Sequence, residues 1–268
     1  MSSPHEPITS AQNPRVQRLR QLVRTPAAYR QQGLIWIEGE HLLTAALEAG
    51  LPLDTLVATP GLVQDGRCAG LLPQWQAASH QTLWLEDRLF AAVSDLVTPV
   101  PVAALVQSSR LIQPALLPDA PTLVLDRLQD TGNVGSLMRT ARAMGYRQVL
   151  ALAGTAALAS PKVMRAAQGA HFGLHLVEGL APDALADLRV PLLATALDAP
   201  HELHRTRLPW PCAWVLGHEG QGVAATVQAR CAQTLRIAMP GGFESLNVAA
   251  AGAICLYAAL PWDAAVPS

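Results

Sequence analysis

An α/β fold in two parts is predicted for this chain by three observations. Strand-like apolar runs alternate with helical stretches along nearly its whole length. One aperiodic, proline-bearing segment at 108–120 interrupts that alternation. Half of the residues are apolar and 15% are charged, enough to bury a core in each part. The resulting division is a small αβα domain at 1–107, a linker at 108–120 and a second domain at 121–268. Uninterrupted strand–helix alternation in the second domain predicts a mostly parallel sheet covered on both faces.

In the first domain, Asn13 to Gln32 reads as one helix carrying Arg15, Arg18, Arg20, Arg24 and Arg30 and no acidic residue. The strand LIWIE (34–38), a helix over 39–49 and the strand LDTLVA (53–58) follow. A helical patch around 68–78, a strand at 82–86, a short helix at 87–96 and the strand VAALVQ (102–107) complete it. Strands of the second domain are predicted at 122–126, 148–153, 173–177, 191–197, 212–217 and 234–239. The chain then enters a helix from about Ser245 to Ala259 that is apolar all round and is therefore expected to be buried.

Composition excludes several classes. A net charge of −1 gives no global positive field. Cys68, Cys212, Cys231 and Cys255 have no metal-like or redox spacing and read as buried thiols in a reducing compartment. The opening MSSPHEPITS has no apolar signal core, and the longest apolar run, 248–260, falls short of the roughly 20 residues a spanning helix needs. A cytoplasmic, non-membrane protein is expected. Neither G-x-G-x-x-G after the first strand of the second domain nor a P-loop is present. HELH (201–204) places its histidines three apart, so a surface helix or loop is expected there and no metal.

Three strand-to-loop junctions stand out, and in open α/β sheets ligands collect at the carboxyl ends of strands. In LDRLQDTGNVGSLMRTARAMG (125–145), Asp130, Gly132 and Asn133 form a turn, with Asn133 as the expected N-cap of a helix. Val134, Leu137, Met138, Ala141 and Met144 make its buried stripe, and Arg139 points nearly opposite. On spacing alone Arg139 is either a solvated helix arginine or a guanidinium held over a cleft. In WVLGHEGQGV (214–223), an apolar strand meets Gly217, Gly220 and Gly222 with Glu219 among them, either a tight turn or a backbone surface a ligand can approach. In IAMPGGFESLNVAAAGAICLYA (237–258), Ser245 and Asn247 open the terminal helix, Ser245 as a possible cap and Asn247 as a buried amide in need of partners.

Together these segments resemble the SpoU (TrmH-type) RNA 2′-O-ribose methyltransferases. DTGNVGSLMRTA is similar to the family's first motif, LGHEGQG to the second, and IAMPGG followed by SLNV to the third, in the same order and spacing. KVMRAAQGAHF (162–172) resembles the segment between the first two motifs. ITSAQNPRVQRLRQL and IWIEGEHLLTAALEAG are similar to the RNA substrate-binding domain many members carry in front. Thr131 stands where relatives often have proline, and TPVP (98–101) precedes a strand where they often have Gln-Gly.

The resemblance implies that the second domain is a trefoil-knotted methyltransferase domain working as a homodimer on RNA. The knot would hold S-adenosylmethionine against Leu216, Gly217, Gly220, Ile237, Met239 and Leu246. The catalytic set carried over is Asn133, Arg139, Glu219, Ser245 and Asn247. A guanidinium holds its proton at physiological pH, so Arg139 is expected to clamp and orient, with base duty only in the assembled complex. Arg15, Arg18 and Arg24 would contact RNA phosphates. The expected substrate is 23S ribosomal RNA, with tRNA as the alternative. Two other classes are a knotted enzyme methylating a base nitrogen such as N1 of guanine, disfavoured by the first-motif arginine, and a non-catalytic RNA-binding protein.

Overall fold

The computed structural model describes residues 6–64, 66, 68–242 and 245–262. It divides into two compact units, one of Met1–Leu111 with Ala159–Phe172, the other of Ile112–Leu158 with Gly173–Ser268. In chain order the first stretch runs α1 (Pro14–Arg24), α2 (Ala28–Gln32), β1 (Leu34–Glu38), α3 (Glu40–Glu48), β2 (Leu53–Ala58) and α4 (Pro60–Gln64). It continues with α5 (Leu72–Ala77), β3 (Ser79–Trp84), α6 (Asp87–Val93) and β4 (Val102–Gln107). Then come β5 (Thr122–Asp126), α7 (Thr131–Ala143), β6 (Gln148–Leu152), α8 (Pro161–Ala167), β7 (His175–Leu180) and β8 (Leu192–Thr195). The rest is β9 (His201–Glu202), β10 (Ala213–Gly217), α9 (Ala225–Gln228), β11 (Gln233–Arg236) and α10 (Val248–Ala258).

The first unit is built on a four-stranded sheet of order β1-β4-β2-β3, in which β4 runs antiparallel to both neighbours and β2 parallel to β3. The helix expected over 13–32 is two helices. Pro26 has no N–H to give and disfavours helical geometry in the residue before it, so Thr25 turns extended and ends α1. Asn13 caps α1 through its side chain, and Val16, Leu19, Leu22 and Val23 face the core. The helix α4, opened by Pro60, was absent from the sequence reading, and the helical patch at 68–78 contracts to α5. Strand β3 starts three residues and ends two residues earlier than expected, because pairing with β2 from Leu53↔Ser79 recruits polar Ser79, His80 and Gln81.

In the second unit seven strands lie in the order β7-β6-β5-β10-β8-β11-β9, and every pair is parallel. The central β5, β6 and β10 are buried along their whole length, as strands covered on both faces must be. From β5 the chain steps outward through β6 to β7. It then returns to the other side, where β10 inserts between β5 and β8 and β11 goes to the far side of β8. Residues 112–120 are tied to this unit: Gln113 N–H donates to the Leu176 carbonyl, and Leu117 bonds to the Gln148 side chain through both N–H and C=O.

Several local expectations change here. The strand expected at 173–177 starts at His175 and runs on to Leu180, guided by its pairing with β6. HELH is neither helix nor plain loop: His201 and Glu202 form the edge strand β9 beside β11 and a single 3₁₀ turn follows. Asn133 is not the N-cap of α7; the Asp130 carboxylate takes that place and accepts from Asn133 N–H at 2.7 Å. The terminal helix starts at Val248, capped by Asn247 rather than Ser245. That helix is also not buried all round, since Ile254 is 43% and Tyr257 53% exposed in the single chain. Cys68, Cys212 and Cys255 are buried and Cys231 half-buried, all as free thiols. Burial pushes Cys212 and Cys231 up to about 11 and Cys255 up to about 12, away from thiolate chemistry. Among the described residues no helix is long and apolar enough to cross a membrane.

Candidate active site

The insertion of β10 beside β5 is a topological switch point, where the crevice outside the strand ends of an open α/β sheet forms. The carboxyl ends lie level, with Leu216 opposite Leu125 and Gly217 opposite Asp126. A cavity of about 890 Å³ opens there, within the size range of small-molecule sites. Its walls come from the end of β8 (Thr195 to Asp198), the segment Leu216 to Val223, Ile237, Met239, and Ser245 to Val248.

The segment after β10 doubles back on itself. His218 C=O accepts from Gly222 N–H at 2.8 Å, and Gly220 N–H donates to His218 Nδ1 at 3.0 Å. This hairpin passes directly over Gly217, where a Cβ would stand 2.2 Å from the Gly222 carbonyl carbon and from Val223 N. Only glycine fits there. At the third wall, α10 approaches α7 and β10 closely through Gly252, whose added Cβ would meet Leu137 and Leu216 side chains at 2.3 and 2.6 Å.

Three junctions distant in sequence are bonded together beside the cavity. The Glu219 carboxylate accepts from Asp130 N–H at 3.2 Å, Gln129 N–H at 3.4 Å and Asn133 Nδ2 at 3.3 Å. The Asn133 oxygen accepts from Asn247 Nδ2 at 3.0 Å. The Asn247 oxygen in turn accepts from Ala249 and Ala250 N–H, closing the first turn of α10. Partial burial pushes the Glu219 carboxyl up, but the hydrogen bonds outweigh it and hold the group below its ordinary value. The amide of Asn247 is exposed rather than buried, contrary to expectation, yet it is satisfied.

Of the candidate residues, Leu216, Gly217, Glu219, Gly220, Ile237, Met239, Ser245, Leu246 and Asn247 line this one cavity, and Asn133 is bonded to two of them. Arg139 is not brought to it. The residue lies six positions beyond Asn133, about 9 Å along α7, exposed and without a hydrogen bond or ion pair among the described residues. In the other unit, Arg18 donates to the Gln32 side chain and carbonyl and Arg24 to the Ala92 carbonyl, whereas the exposed Arg15 side chain makes no such bond among the described residues.

Asp126 and Arg127, absent from the sequence reading, also belong to this region. Asp126 is buried at the end of β5, its carboxylate accepting from Ala224 N–H at 2.6 Å. Arg127 forks onto that carboxylate at 3.0 and 3.3 Å and reaches Gln221 Oε1 at 2.9 Å and the Gly222 carbonyl at 3.3 Å. A carboxylate ending an otherwise apolar strand was the available signal.

This geometry can be set against known proteins. Residues 120–257 match the family model described as the SpoU rRNA Methylase family, and residues 13–104 match an MRM3-like substrate binding domain. The chain belongs to the SpoU rRNA methylase family. Among SpoU relatives, it is 31% identical over 255 residues to the 23S rRNA (guanosine(2553)-2′-O)-methyltransferase RlmP of Bacillus subtilis, covering 93% of this chain and 97% of that protein. A 23S rRNA (guanosine-2′-O-)-methyltransferase RlmB of Nitrosomonas europaea is 36% identical over 200 residues, 72% of this chain and 70% of that one. A solved structure of a putative RNA methyltransferase of the TrmH family from Porphyromonas gingivalis superposes with a TM-score of 0.77 at 29% identity, over 94% of this chain and 98% of that one. The SpoU methyltransferase AviRb from Streptomyces viridochromogenes, in complex with AdoMet, shares the fold with a TM-score of 0.83 at 22% identity, over 94% and 98% of the two chains.

Proposed function

We propose that this chain is an S-adenosylmethionine-dependent RNA 2′-O-ribose methyltransferase acting on 23S ribosomal RNA in the cytoplasm. The observation that carries this reading is the bonded series Glu219–Asn133–Asn247, which ties three junctions together beside a cavity of cofactor size. The residues present fit the cofactor. Leu216, Leu246, Ile237 and Met239 give apolar walls for the adenine ring, and the hairpin over Gly217 leaves no side chain between backbone and ligand. When bound, the cofactor would supply a sulfonium methyl for transfer to the ribose 2′-oxygen, with the hydroxyl proton passing to water.

The protein's part is orientation. Asn133 and Asn247 each spend one amide hydrogen and their oxygen on the bonded series, which leaves each a second N–H for substrate. Ser245 stands beside Asn247 on the cavity wall and offers a hydroxyl to the ribose. Glu219, kept ionised by its donors, fixes Asn133 rather than taking the proton. Arg139 clamps the substrate.

Because Arg139 lies off the cavity of its own chain, a homodimer through the second unit is part of the proposal, with Arg139 of one protomer completing the site of its partner. The uncovered apolar face of α10 supports this. Ile254 and Tyr257, with Met144, Leu203 and Ile237, surround an apolar hollow of about 590 Å³. We further propose that the segment after β11 threads a trefoil knot. In support, β11 lies outside β8 while α10 returns across the sheet to pack on α7 and β10. Residues 1–107 would then be the RNA substrate domain, with Arg15, Arg18 and Arg24 on phosphates, 108–120 its connection, and 121–268 the methyltransferase domain.

Calorimetry with S-adenosylmethionine, with and without a chelator, followed by methyl transfer to ribosomal and transfer RNA, tests the proposal. Chelator-insensitive binding and a methyl mapped to a ribose of 23S RNA are expected. No binding by folded protein, or a methyl on a base, would refute it.

A further inference from the structure

The glycine-rich hairpin Gly217–Val223 forms one wall of the cavity; a backbone bond joins His218 to Gly222, and Glu219 is held from Gln129, Asp130 and Asn133. Its far side, Gln221 to Ala224, is held separately, by Asp126 and Arg127 at the end of β5. Arg127 sits at φ +60°, a left-handed conformation that a long side chain adopts only when its surroundings impose it. The Thr155 hydroxyl imposes it, accepting from Arg127 N–H at 3.0 Å while donating to the Leu125 carbonyl at 3.0 Å. So held, the guanidinium reaches across 94 residues to Gln221 Oε1 and across 95 to the Gly222 carbonyl. Asp126 is the anchor. It takes the guanidinium fork on both oxygens and the Ala224 N–H on one, so that hairpin tip and hairpin exit are tied to a single buried carboxylate.

Donor arithmetic separates this role from substrate binding. A guanidinium has five N–H groups, and the structure assigns four bonds to that of Arg127, all within the protein. Little remains for an RNA phosphate, and Arg127 is not among the residues lining the cavity. We propose that Arg127, with Asp126, is a positioning residue that sets the hairpin wall of the cofactor cavity, and so controls cofactor affinity rather than the methyl-transfer step. This rests on the cofactor reading given above.

The test uses the full chain with Arg127→Lys and Arg127→Ala. Lysine keeps a positive charge beside Asp126 but loses the planar fork that serves Gln221 and Gly222. The first readout needs no cofactor: amide exchange in 218–224 should accelerate in both variants while β5 and β6 amides stay protected. The second is calorimetry, in which the dissociation constant for S-adenosylmethionine should rise about tenfold in both variants, lysine giving no rescue. At saturating cofactor, turnover on RNA should stay within about threefold of the parent, because no reacting group has been removed. Unchanged exchange in 218–224, an unchanged dissociation constant, or a turnover loss without an affinity loss would each overturn the proposal. If the parent protein itself fails to bind S-adenosylmethionine, the cofactor reading falls, and the role of Arg127 toward that cofactor falls with it. The exchange experiment would still tell that failure from a hairpin that was never clamped.

Discussion

Gly217→Ala should damage this protein far more than Gly220→Ala, although both glycines lie in the same hairpin and line the same cavity. At Gly217 the new methyl would stand 2.2 Å from the Gly222 carbonyl carbon and Val223 N and 2.4 Å from the Gly222 oxygen. Ordinary contact begins near 3.4 Å, so the hairpin must retreat by more than about 1 Å, and the obstacles are backbone atoms that cannot swing aside. Overpacking of this kind costs about 1–3 kcal/mol. The retreat also breaks the His218–Gly222 bond and stretches the Arg127 bonds to Gln221 and Gly222, about 1 kcal/mol each. The stiffer unfolded chain returns about 0.4–1 kcal/mol. The net loss is about 3–5 kcal/mol, or roughly 6–20 °C in melting temperature for a chain of this size. At Gly220 the nearest atoms to an added methyl are the His218 ring at 3.9 Å, and the melting point should move by less than about 2 °C. Thermal melts of both variants, with S-adenosylmethionine calorimetry on the survivors, make the comparison. A Gly217→Ala protein that melts with the parent, or a Gly220→Ala protein that is the worse of the two, would refute the reasoning.

Arg139→Ala should abolish methyl transfer with less than about 0.5 kcal/mol change in stability and no change in cofactor affinity, and Arg139→Lys should not restore activity; turnover and calorimetry check both. The Glu219 carboxyl should titrate below the ordinary glutamate range when followed by NMR. With its folded value lowered, its contribution to stability is present above the unfolded value and lost as pH falls through the lowered one, and Asn133→Ala should move the titration back up. Changing Arg15, Arg18 and Arg24 together to Gln should reduce the log–log salt slope of RNA binding by roughly 0.7 to 0.9 per lost phosphate contact. The same change should lower the melting point slightly, because Arg18 and Arg24 also tie Gln32 and Ala92.

The strands legible in the sequence were those whose burial writes an uninterrupted apolar run. Segments 34–38, 53–58, 102–107 and 122–126 are predicted and found with the same bounds. Strand β9 was illegible, because two residues, one of them charged, carry no period and form a strand only by lying beside β11. Strand β3 was misplaced for the same reason: its polar first half is set by its neighbour rather than by its own composition. At the site, turn chemistry and glycine spacing located the junctions. Which group meets which was not legible, since the Glu219–Asn133 and Asn133–Asn247 bonds span 86 and 114 residues. The switch of capping role from Asn133 to Asp130 is a register effect of three residues, smaller than spacing rules resolve. Asp126 and Arg127 escaped because a strand-terminal carboxylate and a loop arginine are individually ordinary; only the Gly222 hairpin across the sheet turns them into a clamp.

The place of β10 in the sheet also governs how the chain meets water while it is being made. Its residue Ala213 pairs on one side with Thr122 and on the other with Leu192, so β5 and β8 become neighbours-but-one only when a later strand arrives. Until then a nascent chain carries one strip of sheet, β7-β6-β5, with an unpaired apolar edge at β5, and a lone β8 whose other partner, β11, also comes later. At typical synthesis rates of about 5–20 residues per second, residues 196–217 take on the order of seconds to emerge. During that interval the open edges are templates for pairing with any other exposed strand. A ribosome stalled between β8 and β10 would leave those edges unpaired, so such products should be chaperone-bound or aggregated rather than soluble fragments. Synonymous codon changes that slow translation across 196–212 should lower soluble yield without altering a single residue of the finished enzyme.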